Sequence, residues 1–270
     1  IQATHATLAA YAATAFAVAG VYAWGALRGR ADRYHRAALA LSMALGLVTA
    51  VLMPITGHVS AQWVARNQPA KLAAMEAQFV SERQAPLRIG GIPDPQARTV
   101  LYAIEIPGGL SWLAFGNRDA WVAGLDGIAR SEWPNVLLTH LSFQVMVAAG
   151  MVMLAVAVAF WITAWRRRGA FVRSRPLLWA LVGAGPLGYV ALEAGWVVTE
   201  VGRQPWTVYG LLRTSEAVTP AAGLWVTFAG FMALYAILLA TLLWLLGRLA
   251  RAREDAALAP AGEEAADGPG

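Results

Sequence analysis

Residues 136–165 read VLLTHLSFQVMVAAGMVMLAVAVAFWITAW, a stretch with no Asp, Glu, Lys or Arg. Hydrocarbon about 30 Å thick is crossed by roughly 20 helical residues, and strands left open in lipid would keep their backbone groups unpaired. This stretch therefore predicts a membrane-spanning helix. Four others share its character: Thr7–Leu27, Ala37–Ile55, Pro176–Val201 and Gly223–Leu246. The expected fold is all-α, a polytopic membrane bundle of five transmembrane helices.

Composition agrees. Hydrophobic residues form 58% of the chain and charged residues 14%, with a mean hydropathy of +0.51, which is too little polar surface for a soluble protein of this length. A formal charge of +5 raises the question of nucleic acid. The arginines, however, gather in short runs between apolar stretches rather than on an aromatic-laced basic face, so no nucleic acid partner is expected. Cysteine is absent, which excludes disulfides, thiolate metal sites and cysteine nucleophiles.

The arginine runs set topology. Arg28, Arg30, Arg33 and Arg36 follow the first span; Arg166, Arg167, Arg168, Arg173 and Arg175 follow the third; Arg248, Arg251 and Arg253 follow the last. The positive-inside rule makes all three places cytoplasmic. The expected division is residues 1–55 for the first two spans, 56–133 for a long outer loop, 134–250 for the last three spans, and 251–270 for a disordered cytoplasmic tail. The first span starts almost at residue 1 with no methionine or charged region ahead of it, so the beginning is expected to be a truncation. Gly183, Gly185, Gly188 and Gly195 are expected to let helices pack closely. No internal repeat and no phosphate-binding glycine loop is evident.

Ionisable and ligand-type residues at membrane depth need a partner, a cavity or a cofactor. His5 opens the first span, Met146 lies about three turns into the third, and Glu193, Trp196 and Glu200 share one face at the end of the fourth. With this topology His5, Met146 and Glu200 all fall in the outer half of the membrane. Imidazole and thioether are the ligand pair of a six-coordinate haem. His140, near the mouth of the third span, is the rival of His5 for that role; His35 and His58 lie in the cytoplasmic and outer connections. Arg203 is a ready ion-pair partner for Glu200, while Glu193, deeper, is suited to carry protons. In the loop, Lys71 and Glu76 lie on a short helical pattern, Pro69–Phe79, about 140° apart, and spacing alone favours a solvated helix face.

The run Glu193-Ala-Gly-Trp-Val-Val-Thr-Glu-Val-Gly-Arg-Gln-Pro-Trp206 resembles the signature of cytochrome bd quinol oxidase subunit I. Lys71-Leu-Ala-Ala-Met-Glu76 and Tyr102-Ala-Ile-Glu-Ile-Pro-Gly-Gly109 are similar to its quinol-binding loop, of the short type, and Phe143-Gln-Val-Met146 to its axial-methionine segment. The resemblance implies that His5 and Met146 are axial ligands of a low-spin haem b, and that Lys71 and Glu76 bind and deprotonate quinol. It implies that Glu200 ligates a haem of the high-spin pair, haem b with haem d or a second haem b. Trp196 would pack on that pair, with Glu193 close by and Arg203 supporting the haem region. Gln144 stands where some members carry an arginine, which removes that charge from the low-spin haem.

The implied reaction is oxidation of quinol on the periplasmic side of a bacterial inner membrane and reduction of dioxygen with cytoplasmic protons, generating proton motive force. Implied partners are oxidase subunit II and a small single-helix subunit. In the family, the cytoplasmic proton path and the high-spin histidine belong to helices outside this sequence, so the chain alone is not expected to turn over. A proton-coupled transporter using Glu193 and Glu200, or a homologue without the oxygen site, are the alternatives. The first would show repeats or broken mid-membrane helices, neither of which is evident in the sequence, and the second would have no use for Glu200.

Overall fold

The structure, a computed structural model, describes residues 2–258. Ile1–Ala217 and Val218–Gly270 separate as two units. Five helices among the described residues are long and apolar enough to cross a membrane: Gln2–Leu27, Arg33–Asn67, Val136–Arg166, Arg175–Val201 and Leu224–Leu249. These match the five spans read from the sequence.

In the first unit, α1 (Gln2–Leu27) turns through Gly29, φ +91°, into α2 (Arg33–Asn67). Asp32 caps α2, its carboxylate accepting from His35 N at 2.9 Å. The span predicted to end at Ile55 runs on through Pro54 to Asn67. Polar residues such as His58 and Gln62 lower hydropathy without ending a helix. The end comes at Gln68, φ −140° and ψ 64°, because the residue before Pro69 is pushed out of helical geometry. The boundary drawn at residue 56 thus falls inside a helix.

A second difference lies in the fourth span. It is two helices, α6 (Arg175–Ala184) and α7 (Leu187–Val201), separated at Gly185–Pro186, where proline brings no N–H to the ladder. An interrupted span was not evident from sequence, and its absence had counted against a transporter. Elsewhere the glycines act as expected: a Cβ on Gly20 would lie 3.2 Å from Gly185 Cα, and one on Gly188 would lie 2.4 Å from Ala13 Cα. Gly183 is the exception, since a Cβ there would meet nothing within 4 Å.

These contacts run α1 antiparallel to α6 and α7. With α5 (Val136–Arg166), capped by the Asn135 side chain on Leu138 N, they enclose a core in which Phe16, Leu39, Met43, Phe160, Leu178 and Leu181 are fully buried. Trp161 Nε1 also donates to Met43 O at 3.1 Å, tying α5 to α2.

Between α2 and α5 the loop is ordered and departs locally from an all-helical chain. It begins with α3 (Pro69–Met75) and contains α4 (Gly109–Phe115). Six short strands form three antiparallel pairs: β1 (Glu82–Arg83) with β6 (Trp121–Val122), β2 (Leu87–Ile89) with β5 (Ile104–Ile106), and β3 (Ile92–Asp94) with β4 (Thr99–Leu101). Val64, Leu72, Met75, Leu110, Val122 and Val198 form one cluster, which seats the loop on the ends of α2 and α7. After α7, β7 (Trp206–Val208) and β8 (Leu212–Arg213) make a hairpin. Arg213 stacks on Trp206 and forms an ion pair with Glu132 of the long loop, joining the two connections.

In the second unit, α8 (Leu224–Leu258) extends past the boundary predicted at residue 250, so 251–258 are helical. The rest of the expected disordered tail lies outside the described residues.

Candidate functional site

The two loop residues are buried, contrary to the solvated face that spacing favoured. Lys71 is 8% exposed and Glu76 5%. Being about 140° apart, they point to different neighbours. Lys71 reaches the last turn of α7, where Nζ donates to Thr199 O at 3.4 Å. Gly202 makes room: a Cβ there would lie 3.5 Å from Lys71 Cε and 3.0 Å from Thr139 Cγ2. An ammonium at a helix C-terminus faces the carbonyl end of the dipole. Burial, then the Arg203 guanidinium, push the Lys71 ammonium below the ordinary lysine range, while Glu200 acts the other way. Lys71 is also the one lysine among the chain's 21 Lys and Arg residues.

Glu76 ends α3 with φ −92° and ψ 0°. Its Oε2 is buried without a hydrogen-bond partner. Burial pushes its carboxyl up to about 7, opposed by Arg88. Arg88 is itself committed to Glu105 at 2.8 Å, Gln78 Oε1 at 2.8 Å and Ala77 O at 3.2 Å. A carboxyl of this kind exchanges its proton near neutral pH.

Along α5 the three candidates separate. His140 is fully buried, with Nδ1 2.8 Å from Met75 O and Nε2 3.2 Å from Gly90 O. Both of its nitrogens are thus engaged with backbone carbonyls of the loop. Gln144 is bound to the loop as well: its Nε2 donates to Arg88 O at 3.0 Å and its Oε1 accepts from Gly90 N at 3.0 Å. Met146, two residues further, packs on α7, and a Cβ on Gly195 would lie 3.1 Å from its sulfur.

His5 sits against α2. Thr56 Oγ1, which also reaches Leu52 O at 3.0 Å, lies 2.9 Å from His5 Nδ1. A proton on Nδ1 would leave the Nε2 lone pair for a metal, the arrangement ligating histidines adopt. Gly57 leaves space for the ring, since a Cβ there would lie 3.3 Å from Cε1. The depth also matches. From the Ala13–Gly188 contact, His5 is eight residues along α1, about 12 Å, and Gly195 seven along α7, about 10 Å, in the same direction. His5 and Met146 thus lie at one level on two helices that both pack on α7, and an imidazole nitrogen and a thioether are groups that could hold a haem iron. Thr56 and Gly57 went unread in the sequence; a Thr-Gly pair just past a helical proline was the only signal.

The remaining candidates line the outer side of α7. Glu193, Trp196 and Glu200 are all exposed, Trp196 by 62%, as one helical face predicts. Arg203 holds Glu200 through Nη2 to Oε2 at 2.5 Å, and its buried Nε has no partner. Glu193 has no ion-pair partner among the described residues. No group of three or more His, Cys, Asp and Glu gathers among the described residues.

The model of the family described as cytochrome bd terminal oxidase subunit I matches residues 1–254. The chain is 38% identical over 253 residues to the putative cytochrome bd menaquinol oxidase subunit I of Bacillus subtilis, covering 91% of this chain and 56% of that protein. It is 26% identical to the cytochrome bd-II ubiquinol oxidase subunit 1 of Escherichia coli, covering 80% of this chain and 55% of that one. The solved structure of bd oxidase from Geobacillus thermodenitrificans is similar with a TM-score of 0.79 and 35% identity, over 92% of this chain and 56% of that one. The chain therefore spans about half the length of these relatives. With five apolar spans, a buried lysine and carboxyl in the long loop, and that match over nearly its whole length, the chain belongs to the cytochrome bd terminal oxidase subunit I family.

Proposed function

We propose that this chain supplies the quinol-oxidising side of a respiratory quinol:oxygen oxidoreductase. The observation that carries this is the burial of Lys71 and Glu76 in the loop, with Lys71 seated on the last turn of α7, the helix that also receives Met146 at Gly195. Lys71 would donate a hydrogen bond to a quinol oxygen. Glu76, half ionised near neutrality, would take a hydroxyl proton and release it toward the periplasmic side. His5 Nε2 and Met146 Sδ would hold a low-spin haem b, which supplies one-electron transfer. Glu200 would ligate one haem of an oxygen-reducing pair, haem b with haem d or a second haem b. Trp196 would flank that pair, Glu193 would hold a proton beside it, and Arg203, with its unpaired Nε, would meet a propionate. In this reading Gln144 orders the loop, not the haem.

The whole reaction takes two quinols and one dioxygen to two quinones and two waters. It calls on subunit II, on the small single-helix subunit, and on placement in the bacterial inner membrane with the loop facing the periplasm. The break at Gly185–Pro186 is the one feature a transporter would share, and it leaves the Met146–Gly195 and His5–Thr56 contacts without a purpose.

The test is a reduced-minus-oxidised optical spectrum of the assembled oxidase carrying this chain, with Met146→Leu and His5→Ala beside it. Each substitution is expected to abolish the low-spin haem b band. A band unchanged in both would overturn the ligand assignment.

A further inference from the structure

Strands β2 and β3 pair with β5 and β4 as one long hairpin, whose register sets apolar residues opposite each other: Leu87 with Ile106, Ile89 with Ile104, and Ile92 with Leu101. Between the last two pairs the ladder is broken. There Gly90 and Gly91, with φ of +68° and +94°, stand across from Tyr102 and Ala103. Ile89 and Ile92 are three residues apart, so an unbroken strand would turn them to opposite sides. Across the break both are exposed, and so are their partners Ile104 and Leu101, while Pro93 is buried and β3 packs on α5. Ile104 is 67% exposed and Tyr102, beside the break, 89%. The charged pair of the hairpin, Arg88 with Glu105, alternates to the other side of the ladder.

The hairpin is fixed at a definite height on α5. At the break, Gln144 bonds Arg88 O and Gly90 N, both at 3.0 Å. From Gln144 to Arg166, the last residue of α5, the helix rises by about 33 Å, close to the roughly 30 Å of hydrocarbon it has to cross. With the arginine run that starts at Arg166 on one membrane surface, the break lies at the level of the other. The face of α5 that carries Gln144 continues toward Arg166 with Ala148, Met151 and Ala155, and all three are exposed. The apolar hairpin residues therefore stand at the end of an open apolar stripe that runs through the thickness of the membrane. A sheet laid against the side of a membrane-crossing helix looks outward along the membrane plane, not up into water.

We propose that this hairpin is a membrane-docking element: Ile89, Ile92, Leu101 and Ile104 lie against the acyl chains of the leaflet on the loop's side, and Tyr102 sits at the height of its headgroups. Continuity with the exposed stripe of α5 names lipid as the occupant. A contiguous apolar group of this kind is rare on a surface that faces water, and an amphipathic aromatic ring is the side chain favoured at the membrane interface. The tip of the hairpin has the opposite character. Gln96 and Arg98 are exposed there, and Pro95 O accepts from Arg130 at 3.3 Å, in the segment ahead of α5, on the watery side of the break. The proposal goes beyond the quinol reading and needs only a chain that spans a membrane.

The test is nitroxide labelling of single cysteines in the assembled oxidase, held in nanodiscs of phosphatidylcholine and phosphatidylglycerol. Collision rates are read by electron paramagnetic resonance with two reagents: oxygen, which concentrates among acyl chains, and a water-soluble nickel chelate. The sequence has no cysteine, and labelling of the unsubstituted oxidase sets the background from the rest of the assembly. Ile104→Cys, Leu101→Cys and Ile92→Cys probe the apolar face, and Gln96→Cys the tip. All four positions are exposed, so the substitutions leave the core intact; assembly of each is checked by gel filtration, and any two of the three face variants suffice. The ratio of oxygen to nickel collisions on the face is expected to exceed that at the tip several-fold. A ratio equal to that of the tip would put the face in water, and low collision rates with both reagents would put it beneath another protein surface; either result overturns the proposal. No quinol or haem band enters these readouts, so the quinol reading stands or falls separately.

Discussion

Replacing Glu76 with glutamine is expected to stabilise the folded loop at alkaline pH while impairing quinol oxidation. Burial pushes the Glu76 carboxyl from 4.5 up to about 7, so the folded state resists an ionisation that the unfolded chain accepts freely. Below about pH 4.5 both states keep the proton and nothing is lost. Between about 4.5 and 7 the unfolded chain ionises first, and folding becomes progressively less favourable; above about 7 the penalty is complete and level. At about 1.4 kcal/mol for each pH unit, that interval amounts to about 3 kcal/mol. Glutamine keeps the shape and cannot ionise. Thermal unfolding in detergent, followed through Trp112, Trp121 and Trp133 of the loop, should show most of this gain at about pH 8 and little at about pH 5. Equal stability of the two proteins at about pH 8, or an equal gain at both values, would refute the reasoning. Activity should move the opposite way, because the rise with pH through about 7 depends on the carboxylate.

Thr56→Val removes the hydroxyl beside His5 Nδ1 and is expected to weaken haem retention by about tenfold, read from haem content after gel filtration. Gly188→Ala puts a methyl into the Ala13 backbone and should destabilise the packing of α1 on α7 by about 1–3 kcal/mol, seen as a lower Tm. Lys71→Arg keeps the charge but overfills the slot beside Gly202 and Thr139; the quinol KM should rise several-fold while the low-spin spectrum stays intact.

Why the spans were legible and the loop was not follows from the physics that writes each. Lipid excludes polar groups along a fixed thickness, so five apolar stretches announce five helices. The end of α2 is invisible to that rule because His58 and Gln62 change hydropathy and not helicity. Pro186 was present in the sequence, but only the structure reveals that it divides the fourth span. The loop hairpins use strands of two or three residues, too short for alternation to register. His5, Met146, Lys71 and Glu76 could be singled out by ligand and acid–base chemistry. The work of His140 and Gln144 could not, because their partners are backbone atoms of Met75, Arg88 and Gly90, and a main-chain carbonyl has no letter in a sequence. The burial of Lys71 and Glu76 was likewise missed, since a seven-residue helix gives too little pattern to tell which of its sides is covered.

The solitary lysine makes the chain its own reporter. A lysine-specific endoprotease has one cleavage point within this stretch, and it is shut between α3 and the last turn of α7. Cutting at Lys71 can proceed only when that seam parts, so the rate of a single nick would read directly how often the loop lifts away from the helices beneath it.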